Sequence, residues 1–327
     1  MTFNLKLPSK VNEINLFKKE NKGCTLYSYS VKNLITIVAE LPEFEIPFDF
    51  YVDDKAINML NLLAPIKSVD IDNVCMTIKG AKGNYKARFI EGNITLPNLE
   101  LENKTTLDMY RLKIANRFTS NKETRPILTG VNVKSNGNIY ATDSYMAYRY
   151  ISGKTVSEEN SKVEITIPRA FVDFISSLFT ENVELRFNSS SCLVKKDNVY
   201  YISRLLDGKY PDVERIFNNV KVGNKVIFDL DDLNEKLNIA SVLEFNGDYS
   251  VINFKNNTIK VRTENPYDAE IVVKSDNDYE FNIALQRLKA VLINLDSNEL
   301  KLNYEGVLKQ LYIEENGNEF ILLPVKV

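Results

Sequence analysis

Residues 141–150 read ATDSYMAYRY and set Asp143 beside Ser144 among apolar and aromatic neighbours. A serine next to a carboxylate suggests a nucleophile, but the hydroxyl needs a base to take its proton. The 327-residue chain contains no histidine. That absence removes Ser-His-Asp and Cys-His arrangements, HExxH zinc sites and histidine-bound metals together. With no suitable lysine nearby, Asp143-Ser144 reads as a turn or as the rim of a binding pocket. The GKT at 153–155 ends like a phosphate-binding loop, yet the glycine such a loop requires five residues earlier is Tyr148. The pairs Asp53-Asp54, Asp231-Asp232 and Glu314-Glu315 offer Mg²⁺ or acid–base chemistry in principle. Adjacent residues, however, point apart on a strand and by about 100° on a helix. Asp231 and Asp232 fit a helix N-terminus better, where carboxylates accept free N–H groups. Cys24, Cys75 and Cys192 are far apart with no CxxC spacing, so they read as inert core thiols. No catalytic residue, metal or cofactor is expected.

The elements that must carry these residues follow from hydrophobic spacing. With 44% hydrophobic and 26% charged residues the chain can bury a core, and its length suggests two or three domains. No run approaches the ~20 apolar residues of a membrane span, and MTFNLKLPSK lacks a signal-peptide layout, so an intracellular protein with no membrane partner is expected. Apolar residues at helical spacing occur at Ala56, Met59, Leu60 and Leu63, at Phe171, Phe174, Ile175 and Leu178, and at Leu288, Val291, Leu292 and Leu295. Each stripe follows an extended stretch (EIPFDFYV, VEITIP, YEFNIA) and precedes an alternating one (SVDID, VELRF, LKLNY). A second helix recurs as Leu107, Tyr110 and Ile114 and as Leu230, Leu233 and Leu237, and LPSKVNEINLFKKE looks like a shortened first copy of it. YSVINFKNNTIKVRTEN, NVYYISRLL and KQLYIEENGNEFILLPVKV read as short strands joined by Asn, Gly and Asp turns. The expectation is an α+β chain of three tandem similar domains, each with about two helices on an antiparallel sheet. The boundaries fall at 1–104 (shortened), 105–221 and 222–327.

Tandem domains of this kind can stack into an arc, helices inside and sheets outside, and two arcs can close a ring. Lys55, Arg111, Lys113, Arg117, Arg169, Lys236, Arg287 and Lys289 would then line a hole and hold a polyanion by backbone electrostatics, despite the net charge of −3. The plain alternative is that these cations sit on solvated faces among Asp53, Asp54, Asp173, Asp231 and Asp232.

RPILTGV, IYATDSYMAYR, RLLDGKYPDVERIF and FILLPVKV, in this order, resemble the bacterial DNA polymerase III beta subunit, a sliding clamp. The resemblance covers the second and third domains. It implies a non-catalytic processivity factor: a two-subunit ring that encircles duplex DNA without reading its sequence. Short linear motifs of polymerase and clamp loader would dock in a pocket between domains two and three. Carried over, that pocket comprises Leu128, Thr142, Ser144, Tyr145, Met146, Ala147, Pro211, Arg215, Ile216, Leu308, Gln310, Ile321, Leu322, Leu323, Pro324, Val325 and Lys326. The resemblance also points to Lys122, Arg125 and Arg169 for DNA phosphates and to Val242 and Leu243 for the dimer interface, where ordinary core at a helix end is an equal reading. Tyr145 and Met146 stand where the family often has histidine and arginine, and Lys326 replaces an arginine. The first domain matches poorly, which leaves its part in ring closure open. A repeat adaptor that binds partner peptides without encircling DNA is the alternative.

Overall fold

The computed structural model describes residues 14–30, 34–153, 163–221, 223–242, 251–255, 257–261, 269–273, 279–306 and 308–326. Six α-helices lie among them: α1 (Asp54–Leu62), α2 (Met109–Asn116), α3 (Arg169–Leu178), α4 (Val213–Asn218), α5 (Leu230–Val242) and α6 (Leu285–Leu292). The stripes that start at Ala56, Phe171, Leu230 and Leu288 fall on helices because the residues at that spacing share one buried face, although Leu295 lies past the end of α6. Ala56 and Leu60 are buried on α1, Phe171 and Ile175 on α3, and Leu288, Val291 and Leu292 on α6. Asp53 caps α1, its carboxylate accepting from the Ala56 N–H at 3.0 Å. In α5 the capping carboxylate is Asp229, which accepts from the Asp232 N–H at 2.8 Å, while Asp231 and Asp232 occupy the first turn.

Two expectations are corrected. The stripe Leu107, Tyr110 and Ile114 does not face one way: Leu107 closes the strand Asn103–Leu107, and Tyr110 is 46% exposed. The buried face of α2 is Met109, Leu112, Ile114 and Ala115 instead. Likewise, the described part of LPSKVNEINLFKKE is no helix; Ile14–Lys19 is a strand. It has a strand on either side, pairing with Cys24–Ser30 and Phe50–Val52, so its backbone groups bond to both neighbours. Leu16 and Phe17 are both buried, in separate apolar clusters, as consecutive residues of a strand covered on two faces must be.

The chain packs as two units, and neither follows one contiguous segment. The first comprises Met1–Met109 and Ala170–Leu206. Its main sheet has eight antiparallel strands in the order Phe50–Val52, Ile14–Lys19, Cys24–Ser30, Ile35–Leu41, Val199–Arg204, Ser191–Lys196, Val183–Phe187 and Asn103–Leu107. A three-stranded sheet (Ile66–Ile71, Cys75–Gly80, Gly83–Arg88) closes over α1 around Phe17, Leu60 and Met76. The second unit comprises Tyr110–Arg169 and Asp207–Val327. Its eight-stranded sheet runs Glu164–Pro168, Gly130–Lys134, Ile139–Thr142, Met146–Tyr150, Asn318–Leu322, Leu311–Glu315, Glu299–Tyr304 and Asn224–Asp229. A four-stranded sheet (Ala269–Val272, Thr258–Val261, Val251–Lys255, Glu280–Ala284) completes it. The fold is thus α+β and antiparallel, with strand–helix–strand recurring at α1, α3 and α6.

The cysteines are free and buried. Burial, with a smaller push from Glu20 on Cys24, raises the thiols of Cys24 and Cys192 up to about 12, so neither supplies a thiolate at neutral pH. Among the described residues no group of three or more Cys, Asp or Glu is placed to hold a metal ion.

Candidate functional site

The strands Ile139–Thr142 and Met146–Tyr150 form a hairpin with Thr142 opposite Ala147. Its turn is held by short polar side chains. The Asp143 carboxylate accepts from the Tyr145 and Met146 N–H groups at 2.8 and 2.7 Å. The buried Thr142 hydroxyl donates to the Met146 carbonyl at 2.8 Å and accepts from the Ser144 N–H at 3.1 Å. Ser144 takes φ 81°, a left-handed conformation that costs a side chain roughly 1 kcal/mol and is held by these bonds. So Asp143 and Ser144 are turn chemistry: the carboxylate is spent on the backbone, and the Ser144 hydroxyl accepts from Arg125 at 3.1 Å. The turn pushes Tyr145 outward, 49% exposed.

Beside the hairpin runs the C-terminal strand, in the register Met146 to Leu322 through Tyr150 to Asn318. The Leu323 N–H donates to the Tyr145 carbonyl at 2.8 Å, and the Val325 N–H to the Asn282 carbonyl at 2.9 Å, which ties down the tail. The short helix α4 covers the same sheet, capped by Asp212, whose carboxylate accepts from the Arg215 N–H at 3.0 Å. Val213 and Phe217 of α4 pack with Leu128, Tyr140, Ala147, Tyr210 and Ile321 in one apolar cluster. Tyr210 fastens it from inside, its hydroxyl accepting from the Thr142 N–H at 3.1 Å, and burial pushes its ionisation upward. Arg149 holds the outside. It makes a two-pronged ion pair with Glu319 at 2.8 and 2.6 Å, bonds Asn218 at 2.7 Å and lies 4.7 Å over the Phe217 ring. Tyr312 donates to the same Glu319 at 3.0 Å; burial first, then the carboxylates of Glu319 and Glu314, raise its ionisation.

The carried-over pocket residues therefore fall into three groups by burial. Leu128, Thr142, Ala147 and Ile321 are buried and form a floor, while Leu322, next to Ile321 on the strand, is buried on the other face of the sheet. Tyr145, Ile216, Leu308 and Leu323 are exposed apolar side chains, and Ser144, Pro211, Arg215 and Lys326 are exposed as well. Met146, Gln310, Pro324 and Val325 lie between these extremes. All belong to the second unit. Of the dimer residues, Val242 is 84% exposed at the end of α5, which excludes the core reading for it, and Leu243 lies outside the described residues.

Lys122 and Arg125 sit on an exposed loop closed by the Leu128 N–H to Arg125 carbonyl bond at 3.0 Å. Arg169 opens α3 and hydrogen-bonds Asn121. A depression of about 370 Å³ gathers Arg117, Lys122, Arg169 and Arg287 with Asp143, Tyr145 and Met146. Arg287 lies 4.2 Å over the Tyr145 ring. Other helix cations are engaged in structure. Arg111 donates to the Asn316 carbonyl at 2.7 Å between the Tyr110 and Tyr150 rings, Lys236 pairs with Glu235 at 3.0 Å, and Lys289 bonds Ser241.

Sequence reasoning passed over α4, Tyr210, the Arg149–Glu319 pair and the placing of Arg287 on Tyr145. For α4 a signal existed in Pro211-Asp212 followed by VERIF, a helix start with its cap. The ion pair joins residues whose adjacency only the register reveals.

The DNA polymerase III beta subunit, central domain, matches residues 107–212. The beta sliding clamp of Staphylococcus aureus (strain Mu50 / ATCC 700699) is 30% identical over 255 residues, covering 71% of this chain and 66% of the relative. The chain thus spans about two thirds of the length of that curated relative. Among solved structures, the DNA polymerase sliding clamp of Bacillus subtilis superimposes with a TM-score of 0.79 at 19% identity, covering 100% of this chain and 94% of that one. The Pseudomonas aeruginosa sliding clamp bound to griselimycin gives 0.79 at 16% identity, covering 99% and 93%. The order of strands and helices, the hairpin joined to the C-terminal strand and these likenesses lead to one conclusion: the chain belongs to the beta sliding clamp family of DNA polymerase III.

Proposed function

We propose that this chain works as a sliding clamp in DNA replication, a non-catalytic ring of two copies that encircles duplex DNA and tethers a polymerase. The observation that carries the reading is the end of the second unit's main sheet. There the turn at 143–146 and the C-terminal tail are bonded together while Tyr145, Leu323, Ile216 and Leu308 stay exposed. Exposed apolar side chains on a rigid, buried floor are what a short linear motif needs as anchor sites. Polymerase and clamp loader would dock there, and the griselimycin-bound relative shows that a clamp of this fold takes a ligand. Three tandem domains, 1–104, 105–221 and 222–327, are supported by the recurring strand–helix–strand unit.

Duplex DNA would be held through phosphates by Lys122, Arg125 and Arg169, with no base readout. Ring closure would use open sheet edges. Gly83–Arg88 is an edge strand with exposed Lys86 and Arg88, and Ala269–Val272 is an edge strand that exposes Val272. Val242 and Leu243 would add apolar contact. No helix among the described residues is long and apolar enough to cross a membrane, and a replication clamp would work in the cytoplasm of the cell that holds the DNA.

The test is retention on circular DNA. A clamp loaded on a nicked circle stays bound in high salt and is lost on linearisation, because topology and not phosphate contact holds it. Salt-sensitive binding equal on circle and linear DNA, or peptide binding with no DNA retention, would favour the adaptor.

A further inference from the structure

Arg149 joins three elements through one side chain. It projects from the hairpin strand Met146–Tyr150, and its Nε and one terminal nitrogen pair with the two carboxylate oxygens of Glu319 on the C-terminal strand at 2.8 and 2.6 Å. The other terminal nitrogen donates to the Asn218 side-chain oxygen on α4 at 2.7 Å, and the guanidinium lies 4.7 Å over the ring of Phe217, also on α4. All three nitrogens of the fork are engaged, an arrangement that the point charge of a lysine cannot reproduce. The exposed apolar side chains of the proposed pocket are divided between the elements that this fork joins. Ile216 stands on α4, whereas Leu323 directly follows the C-terminal strand and bonds the Tyr145 carbonyl of the hairpin turn. With six residues, α4 is too short to hold a helical shape unaided. Its first turn is fixed by the Asp212 cap and by the Glu214 ion pair with Lys134 at 2.5 Å. At its last turn Arg149 makes the tie.

We propose that Arg149 is a positioning residue for peptide docking. By bonding Asn218 and covering Phe217 it fixes the end of α4 against the C-terminal strand, so that Ile216 and Leu323 meet a ligand at one set spacing. This rests on the reading of the groove as a peptide pocket. A bound peptide then loses no affinity to the ordering of α4, because the fold has ordered it already. The two limbs of the fork have different consequences. The Glu319 limb is mostly buried and joins strands of the sheet, so its loss is read in stability. The Asn218 limb is exposed and reaches only α4, so its loss is read in affinity.

The experiment measures anisotropy of short fluorescein-labelled peptides with Leu-Leu, Leu-Phe or Ile-Leu anchors, continuing with the one that the parent protein binds tightest. Asn218→Ala keeps the Arg149–Glu319 pair and should weaken that peptide about fivefold while the thermal melt hardly moves. Asn218→Asp retains an acceptor oxygen for Arg149 and should return affinity to within about twofold of the parent. Combined with Ile216→Ala, the further loss from Asn218→Ala should shrink below about twofold, because the side chain being positioned is gone. An undiminished loss in the Ile216→Ala protein would mean that Asn218 acts elsewhere, and would overturn the proposal. So would an Asn218→Ala protein that binds the peptide as the parent does, whether or not its melt falls; the arginine would then be structural only, with the pocket left standing. Failure of every peptide to bind the parent would remove the pocket and the positioning role together.

Discussion

The two packed units are built alike and equipped differently. Each has an eight-stranded antiparallel sheet and a smaller second sheet, and each main sheet joins strands from two distant stretches of chain. The first unit holds all three cysteines, buried, while the second holds none. The second carries the turn that presents Tyr145, the exposed Leu323, Ile216 and Leu308, and the depression with four cations. An antiparallel sheet of this kind is therefore a neutral frame, and what it offers to partners depends on the turns at its ends. Even within the second unit two hairpins show the difference. Asn316-Gly317 is a two-residue turn with φ 51° and 74° that only reverses the chain. Asp143–Met146 reverses it too, but with hydrogen bonds that push a ring into solvent.

The largest expected break is Arg149→Ala. Both sides of the Arg149–Glu319 pair are mostly buried, at 13% and 14% side-chain exposure, so removing the arginine leaves a carboxylate uncompensated and costs about 3 kcal/mol or more. A thermal or urea melt should show this loss, and Arg186→Ala on the exposed Glu184 pair of the first unit should show almost none. Next is Leu323→Asp, which places a charge on the proposed anchor surface; peptide affinity should fall about thirtyfold or more with the solution mass unchanged. If a polymerase C-terminal peptide still binds normally, the pocket is elsewhere. A smaller effect separates the two hairpins. Gly317→Ala should cost roughly 1 kcal/mol of stability without changing peptide binding, whereas Asp143→Ala should cost a similar amount and weaken binding too.

The smallest effect at neutral pH concerns the first unit alone. The thiols of Cys24 and Cys192 stand up to about 12, above the ordinary 9.0. A raised folded value means their contribution is fully present below about pH 9 and is lost as pH rises toward 12, because the unfolded chain releases its protons first. Hydrogen exchange should find alkaline loosening in the first unit before the second, and Cys24→Ala with Cys192→Ala should flatten it.

Much of the fold was legible before any coordinates. The stripes at Ala56, Phe171 and Leu288 recur with matching flanks, and local spacing suffices to identify a face. Where reading failed, the cause was non-local. Tyr110 looked like a core residue of α2, but it is half exposed and its hydroxyl bonds Asp296 at 3.4 Å. Ile14–Lys19 was read as a helix remnant because INLFKK is too short for its period to decide, and pairing with strands on both sides made it a strand. In the candidate site the Asp143-Ser144 turn was legible from residue type, and the exclusion of a serine nucleophile from the missing histidine.

The properties legible in the chain alone are those carried by near neighbours: where α1, α3, α5 and α6 lie, that Asn316-Gly317 turns, and that histidine chemistry is absent. Which distant residues share a surface follows from the packing of the whole fold. Met146 meets Leu322, Arg149 meets Glu319 and Arg287 lies on Tyr145 across separations of more than a hundred residues. Side-chain period and turn preference act over a few residues, whereas strand register and sheet order depend on which faces can be buried together.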